Sequence, residues 1–245
     1  MNLVVDIGNT RAKAAIFDDG VMLRSWVAVN QQELPFDAVF DRYDIDRSIL
    51  SSTRDDAEWV ENLLADRTRH CIRFVNSVPV PLGNGYGTPE TLGSDRLAAA
   101  VGAANLFPER NILVVDFGSA MTVDIVTSDG VYLGGSISPG LGMRLRALAE
   151  FTGRLPLLSV DEEYCHSAGT VPSTTNDAIL AGVTVGMELE VRGWIDVYSE
   201  KYPELVTIFT GGDAAFFEKR FKNTIFANRE LVLAGLNAIL DYNAD

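Results

Sequence analysis

The sequence predicts an α/β protein made of two related domains, each a mixed sheet covered by helices. Three observations carry this. A short unit recurs 110 positions on without a gap: Leu3-Val4-Val5-Asp6-Ile7-Gly8 returns as Leu113-Val114-Val115-Asp116-Phe117-Gly118, and Asp19-Gly20-Val21-Met22-Leu23 as Asp129-Gly130-Val131-Tyr132-Leu133. Each copy opens with a trio of strand patterns and then alternates helix with strand, which describes a mixed sheet made twice. With 245 residues and 47% hydrophobic side chains, the chain can bury two modest cores. A repeat that keeps its aspartates and glycines while its other residues diverge suggests half-domains facing one cleft. Such a cleft can grip a nucleoside triphosphate from both sides.

The elements follow in order. Strands are expected at about 2–8, 12–18 and 21–29, a helix from Gln31 to Tyr43 and a short buried strand from Ser48 to Ser52. Asp56 to Arg67 is amphipathic and helical, and Ile72 to Asn76 is a further strand. Val78 to Pro89 carries three prolines after Val78 and three glycines, which marks a loop. Gly93 to Leu106 reads as a helix with Leu97, Ala100, Val101 and Ala104 on one face. The second half repeats the trio at 112–118, 121–127 and 131–138 and adds a helix from Gly142 to Phe151. A long helix from Asn176 to Tyr202, strand 205–210, helix 213–221, strand 224–227 and helix 229–241 complete the chain. The expected domains are 1–108 and 109–245.

The formal charge of -14 argues against nonspecific binding to nucleic acid or an anionic membrane. An anionic ligand would therefore need a local field from metal, backbone N–H groups and a few basic side chains. No apolar run reaches the length of a membrane span. Asp6 interrupts the apolar start, and no Lys or Arg precedes it, so a secretory leader is not expected. Two cysteines make no disulfide framework, and a reducing cytoplasm is the natural location. Each lies beside one of the two histidines, as His70-Cys71 and Cys165-His166. Neighbours on a strand point to opposite faces, which disfavours a zinc site.

Asp6-Ile7-Gly8-Asn9-Thr10-Arg11-Ala12-Lys13 falls where a strand turns back on itself. Gly8 lets backbone approach a phosphate, Asn9 and Thr10 add short polar groups, and Asp6 could hold Mg2+ through water. An ordinary hairpin explains one such turn, but the second copy, Asp116 to Asp124, weakens that explanation. No Walker A sequence and no strand-linked G-x-G-x-x-G occurs. Thr210-Gly211-Gly212-Asp213 ends a strand and opens a helix, where glycines would let a flat ring such as adenine lie on the backbone. Gly134-Gly135 and Ser138-Pro139-Gly140 likewise bring backbone close to a ligand or a neighbouring helix.

Together these motifs resemble the type III pantothenate kinases, actin-like (ribonuclease H-like) enzymes of the acetate and sugar kinase superfamily. The resemblance runs through Asp6 to Thr10, Tyr86 to Arg96, Asp116 to Ala120, Gly134 to Gly140, Thr210 to Asp213 and Leu231 to Leu236. The Gly-x-Asp-Arg of Gly93-Ser94-Asp95-Arg96 is its most specific part. Ser119 stands where the family usually has Thr, which keeps the hydroxyl.

The resemblance implies two such domains flanking a nucleotide cleft and the ATP-dependent phosphorylation of pantothenate to 4'-phosphopantothenate, the first step of coenzyme A biosynthesis. It makes Asp95 the catalytic base and gives Tyr86, Gly93, Ser94, Asp95 and Arg96 to pantothenate. Asp6, Ile7, Gly8, Asn9, Thr10, Arg11, Ala12, Lys13 and Ser119 would bind ATP. Asp116 would ligate a monovalent cation, K+ or NH4+, needed alongside Mg2+. Thr175 would reach the substrate from the partner subunit of a homodimer, with Thr174 as the alternative. Ser173 to Asp177 also reads as a helix start, where a Thr is a natural N-cap. Gly182 and Gly186 on the long helix would let another helix approach closely.

Two other functions compete. The family also contains an accessory factor for virulence-gene regulation, so a non-catalytic regulator is one, but the chain retains Asp6 and Asp95. A phosphotransferase or phosphatase acting on a sugar, acetate or polyphosphate is the other, and Tyr86 to Arg96 argues against it.

Overall fold

The computed structural model describes residues 1–161, 164, 169–221 and 225–244, the side chain of Asp55 excepted. Cys165 and His166, weighed above as part of a metal site, lie outside the described residues. The chain forms two compact units: residues 1–109, 126–133 and 230–245, and residues 110–125 and 134–229.

The first unit begins with β1 (Asn2–Ile7), β2 (Ala12–Asp18) and β3 (Val21–Ala28). Then come α1 (Phe36–Arg42), β4 (Arg47–Ser52), α2 (Glu58–Arg67), β5 (His70–Arg73), β6 (Gly83–Asn84) and α3 (Ser94–Leu106). Its sheet runs β3-β2-β1-β4-β5. β2 pairs antiparallel with β1 and β3, whereas β4 runs parallel to β1 and to β5. The central position of β1 explains its unbroken apolar run, because Leu3, Val4 and Val5 are all fully buried. Leu3, Val5 and Ile7 meet Ile16, Leu50 and Leu64 in one core. Each such side chain contributes roughly 1.5–3 kcal/mol by leaving water.

Gln31 to Tyr43 is not one helix. A 3-10 turn at Gln31–Glu33 ends at Leu34, and α1 starts after Pro35. The proline ring pushes the residue before it out of helical space, and Leu34 sits at φ -69, ψ 133. His70 is exposed and Cys71 half-buried on β5.

The second unit contains β7 (Ile112–Phe117), nearly all of β8 (Ala120–Val126), the later part of β9 (Val131–Pro139) and α4 (Leu141–Glu150), while residues 126–133, with the β8–β9 turn and the start of β9, go with the first unit. α5 (Thr175–Lys201), β10 (Val206–Thr210), α6 (Ala214–Glu218) and β11 (Ile225–Ala227) follow. Its sheet runs β9-β8-β7-β10-β11, the strand order of the first unit, with β6 as a sixth strand beside β9, and β10 lies parallel to both β7 and β11. The repeat seen in sequence is therefore a repeat of topology. Val115, Phe117, Val183, Met187, Phe209 and Phe217 form its core, with the rings of Phe117 and Phe217 stacked at 4.4 Å. Ile179, Val183, Met187 and Val191, one stripe of α5, face this core.

α7 (Leu231–Tyr242) closes the chain and belongs to the first unit, where it packs on α3. The crossing is close because two glycines meet. A Cβ on Gly235 would run into the Ala98 carbonyl, and one on Gly102 into the carbonyl of Leu231. Asn2 donates to Asn237 and to Asp241, each at 2.8 Å, fastening α7 to β1. Among the described residues no helix is long and apolar enough to cross a membrane.

Candidate active site

In the first unit the site grows from the end of β1. Strand register sets Asp6 beside Lys13 on β2 and beside Ser51 on β4. The Ser51 hydroxyl lies 3.2 Å from that of Ser94, in the first turn of α3. Asp95 follows, half-buried, and its Oδ1 accepts the Arg96 N–H at 2.8 Å. Gly93 is needed there, because a Cβ would stand 2.6 Å from that same oxygen.

Charge at this point is crowded. The Asp6 carboxyl is pushed up to about 7, first by burial and then by the negative charge of Asp95. The Lys13 ammonium and a hydrogen bond with Ser51 pull in the other direction without cancelling the rise. The Asp6 and Asp95 carboxylates are neighbouring hard oxygen donors, and a divalent cation would relieve the repulsion that Asp6 feels. The Lys13 amine is also 3.8 Å from Glu230, just before α7.

The β1–β2 turn is tight. The Gly8 N–H donates to the Arg11 carbonyl at 3.0 Å, and Asn9, Thr10 and Arg11 are exposed at the tip. Ile7 and Ala12 bury their side chains, so only their backbone faces the turn. Of the expected phosphate residues from Asp6 to Lys13, those with polar side chains gather at the tip and on the Asp6–Lys13 pair.

Arg96 is buried, and its guanidinium lies 5.6 Å over the ring of Tyr86. The Tyr86 N–H donates to Asn84 at 2.9 Å. Sequence reasoning passed over Ser51, Asn84, Tyr132 and Glu230. Ser51 pairs with Asp6 as Thr210 pairs with Asp116 in the second unit, a register that no local sequence signal announces.

In the second unit Asp116 ends β7, with Gly118 and the exposed Ser119 after it. Gly211 has φ +95, and a Cβ there would strike the Asp116 carboxylate and lie 2.6 Å from the Phe117 carbonyl. A Cβ on Gly118 would be 3.2 Å from the same carboxylate. Two glycines thus clear space around Asp116, a cradle suited to a cation with oxygen ligands. The Asp213 N–H donates to Phe117 O at 3.1 Å, so Thr210 to Asp213 folds against the strand end. Beside it is a cavity of about 100 Å³ lined by Leu141, Val160, Gly212, Asp213, Phe216 and Arg229, among others. Its lining mixes the apolar Leu141, Val160 and Phe216 with the charged Asp213, Lys219 and Arg229, and the bare backbone at Gly212 suits one face of a planar heterocycle.

Thr174, not Thr175, caps α5: its hydroxyl accepts the Asp177 N–H at 3.1 Å and donates to Asp177 Oδ2 at 2.7 Å. Thr175 is the first helical residue and is exposed. The structure therefore gathers Asp6, Lys13, Tyr86, Gly93, Ser94, Asp95 and Arg96 in the first unit. Asp116, Ser119 and Thr175 are in the second.

Known proteins match this arrangement. The family model described as type III pantothenate kinase matches residues 2–197. A type III pantothenate kinase of Bacteroides fragilis is 45% identical over 246 aligned residues, covering 99% of this chain and 98% of the relative. One from Phocaeicola vulgatus is 42% identical, covering 99% of both. Among solved structures, a Baf family protein of Campylobacter jejuni superposes with a TM-score of 0.65 at 22% identity, covering 99% of this chain and 98% of that one. The activator of 2-hydroxyisocaproyl-CoA dehydratase from Clostridium difficile, with bound ADPNP, gives 0.54 at 12% identity, covering 99% and 96%. At those identities the structural matches speak for the fold alone.

Proposed function

Because the chain belongs to the type III pantothenate kinase family, we infer that it phosphorylates pantothenate with ATP, the first step of coenzyme A biosynthesis. The observation that carries the mechanism is the position of Asp95, at the start of a helix beside Asp6 and the Arg96–Tyr86 stack.

Arg96 presents a planar donor fork to the carboxylate or amide of pantothenate, and Tyr86 covers its face. The acceptor hydroxyl of pantothenate attacks the γ-phosphorus of ATP as the bond to the β,γ-bridging oxygen breaks and ADP leaves. The hydroxyl proton passes to Asp95. The transition state is loose, so the proton moves late and placement matters more than base strength. Oδ1 of Asp95 is held by the Arg96 N–H, and Oδ2 makes none of the described hydrogen bonds, which suits it to the hydroxyl.

Lys13 and the polar tip Asn9 to Arg11 neutralise and hold phosphate oxygens, as does Ser119 on the second hairpin. The cavity beside Gly212 takes the adenine. Asp6 fits Mg2+ held through water, and the cleared space at Asp116 fits K+ or NH4+. These ions supply charge neutralisation on the phosphates.

The protein acts as a homodimer in the cytoplasm. Gly182 and Gly186 on α5 face open space, and Leu189 and Val197 are exposed large apolar residues of that helix. Thr175 then contacts pantothenate bound to the partner. ATP consumption with pantothenate, Mg2+ and K+ tests this reading against sugars and acetate as acceptors. Turnover is expected with pantothenate alone, and turnover restricted to another acceptor would refute the assignment.

A further inference from the structure

The loop that carries Tyr86 is fastened to a hairpin that comes from the other copy of the repeat. β6 pairs in parallel with the start of β9, Gly83 with Val131 and Asn84 with Tyr132. The Gly83 N–H donates to the Gly130 carbonyl and the Gly85 N–H to the Tyr132 carbonyl, both at 2.8 Å. The fit around Gly85 is close, since a Cβ there would lie 3.3 Å from both the Tyr132 carbonyl and the Leu133 side chain. All these residues belong to the first unit.

Tyr132 itself is fully buried and is the largest of the fully buried side chains. Its ring centroid is 6.1 Å from that of Tyr86, tilted by 43°, and Tyr86 in turn carries the Arg96 guanidinium at 5.6 Å. The three groups form a continuous stack, Tyr132–Tyr86–Arg96, rooted in the interior at one end and ending on the side chain assigned to pantothenate. A half-buried tyrosine in a loop rich in glycine and proline draws little support for its ring from its own segment, beyond the Asn84 contact to its N–H. The backbone ladder and the Tyr132 ring supply it.

We propose that Tyr132 is a positioning residue for the acceptor substrate, acting through Tyr86 to hold Arg96 in the orientation that binds pantothenate. The inference rests on the kinase reading above. Asn84 assists by accepting the Tyr86 N–H, which fixes the backbone from which the ring projects. Their described contacts run to Tyr86 and along the β6–β9 ladder, so their loss is expected to act on pantothenate and not on ATP.

The test measures steady-state kinetics of the full chain with pantothenate and with ATP varied separately, for wild type, Tyr132→Leu, Tyr132→Phe and Asn84→Ala. Removing one aromatic partner from such a stack is expected to raise the pantothenate KM by about tenfold in Tyr132→Leu. The ATP KM stays within about twofold, because the change concerns one substrate only. Tyr132→Phe keeps the ring and restores the pantothenate KM. Asn84 is exposed, so Asn84→Ala folds whether or not the leucine variant does, and it raises the pantothenate KM in the same selective way. A wild type that turns over while both KM values shift together, or neither does, would overturn the positioning role alone. A folded wild type without pantothenate turnover would overturn the kinase reading and this inference with it.

Discussion

Asp6 and Lys13 face each other across the β1–β2 ladder, and the Lys13 amine reaches on to Glu230 at 3.8 Å. A carboxylate that would otherwise be buried against Asp95 thus gains a cation fixed by strand register, not by a flexible loop. Replacing Lys13 by Met should move the Asp6 titration upward from about 7, since it removes a contribution that lowers it. The same variant should raise the ATP KM by about tenfold or more, as loss of a charged phosphate contact does. A pH titration of Asp6 by carboxyl NMR, with kinetics alongside, checks both.

Asp6 also predicts a dependence of stability on pH. Burial and the charge of Asp95 push its carboxyl up to about 7 in the folded protein, against 3.8 for an ordinary aspartate. The folded state binds this proton more tightly, so the contribution to stability is fully present below pH 3.8. It is lost as pH rises through 7. The ligand-free protein should therefore be less stable at pH 8 than at pH 6. Asp6→Asn, which is uncharged at both, should flatten this difference and gain about 1–2 kcal/mol at pH 8 while losing activity. Denaturant unfolding of both proteins at the two pH values measures it.

Gly211 tests the second unit. Alanine there must accept φ +95 and place a methyl group against the Asp116 carboxylate. Destabilisation of about 2–4 kcal/mol is expected from strain and overpacking together. Thermal unfolding gives the stability, and activation by K+ reports whether the space around Asp116 has closed. Gly182→Ala, which meets open space within the chain, should stabilise a protomer by about 0.5–1 kcal/mol through helix propensity. If α5 is the dimer helix, the same change weakens association in analytical ultracentrifugation.

Much of this was legible in the sequence. The gapless repeat of Asp-x-Gly at the end of an apolar run fixes two strand trios, because the alternation and the Asp-Gly turns are local signals. The two sheets share the order of five strands, and only the second adds a sixth, β6, at its edge. What sequence could not show depends on contacts between distant positions. Tyr132 looks like an ordinary strand residue until β6 pairs beside it, and Ser51 like a buried serine until register sets it next to Asp6. The return of α7 to the first unit rests on Gly102 meeting Gly235, residues 133 positions apart whose closeness no periodicity announces. The break in the helix expected over Gln31 to Tyr43 was local and visible: Pro35 alone accounts for it.

The central claim is that Asp95 takes the proton of the pantothenate hydroxyl. Single-turnover formation of phosphopantothenate, measured for wild type and Asp95→Asn at saturating ATP, Mg2+ and K+, addresses it most directly. Loss of a positioned general base should slow the chemical step by roughly 10²–10⁴-fold while pantothenate and ATP still bind. An Asp95→Asn enzyme that binds both substrates and transfers the phosphoryl group at the wild-type rate would contradict it.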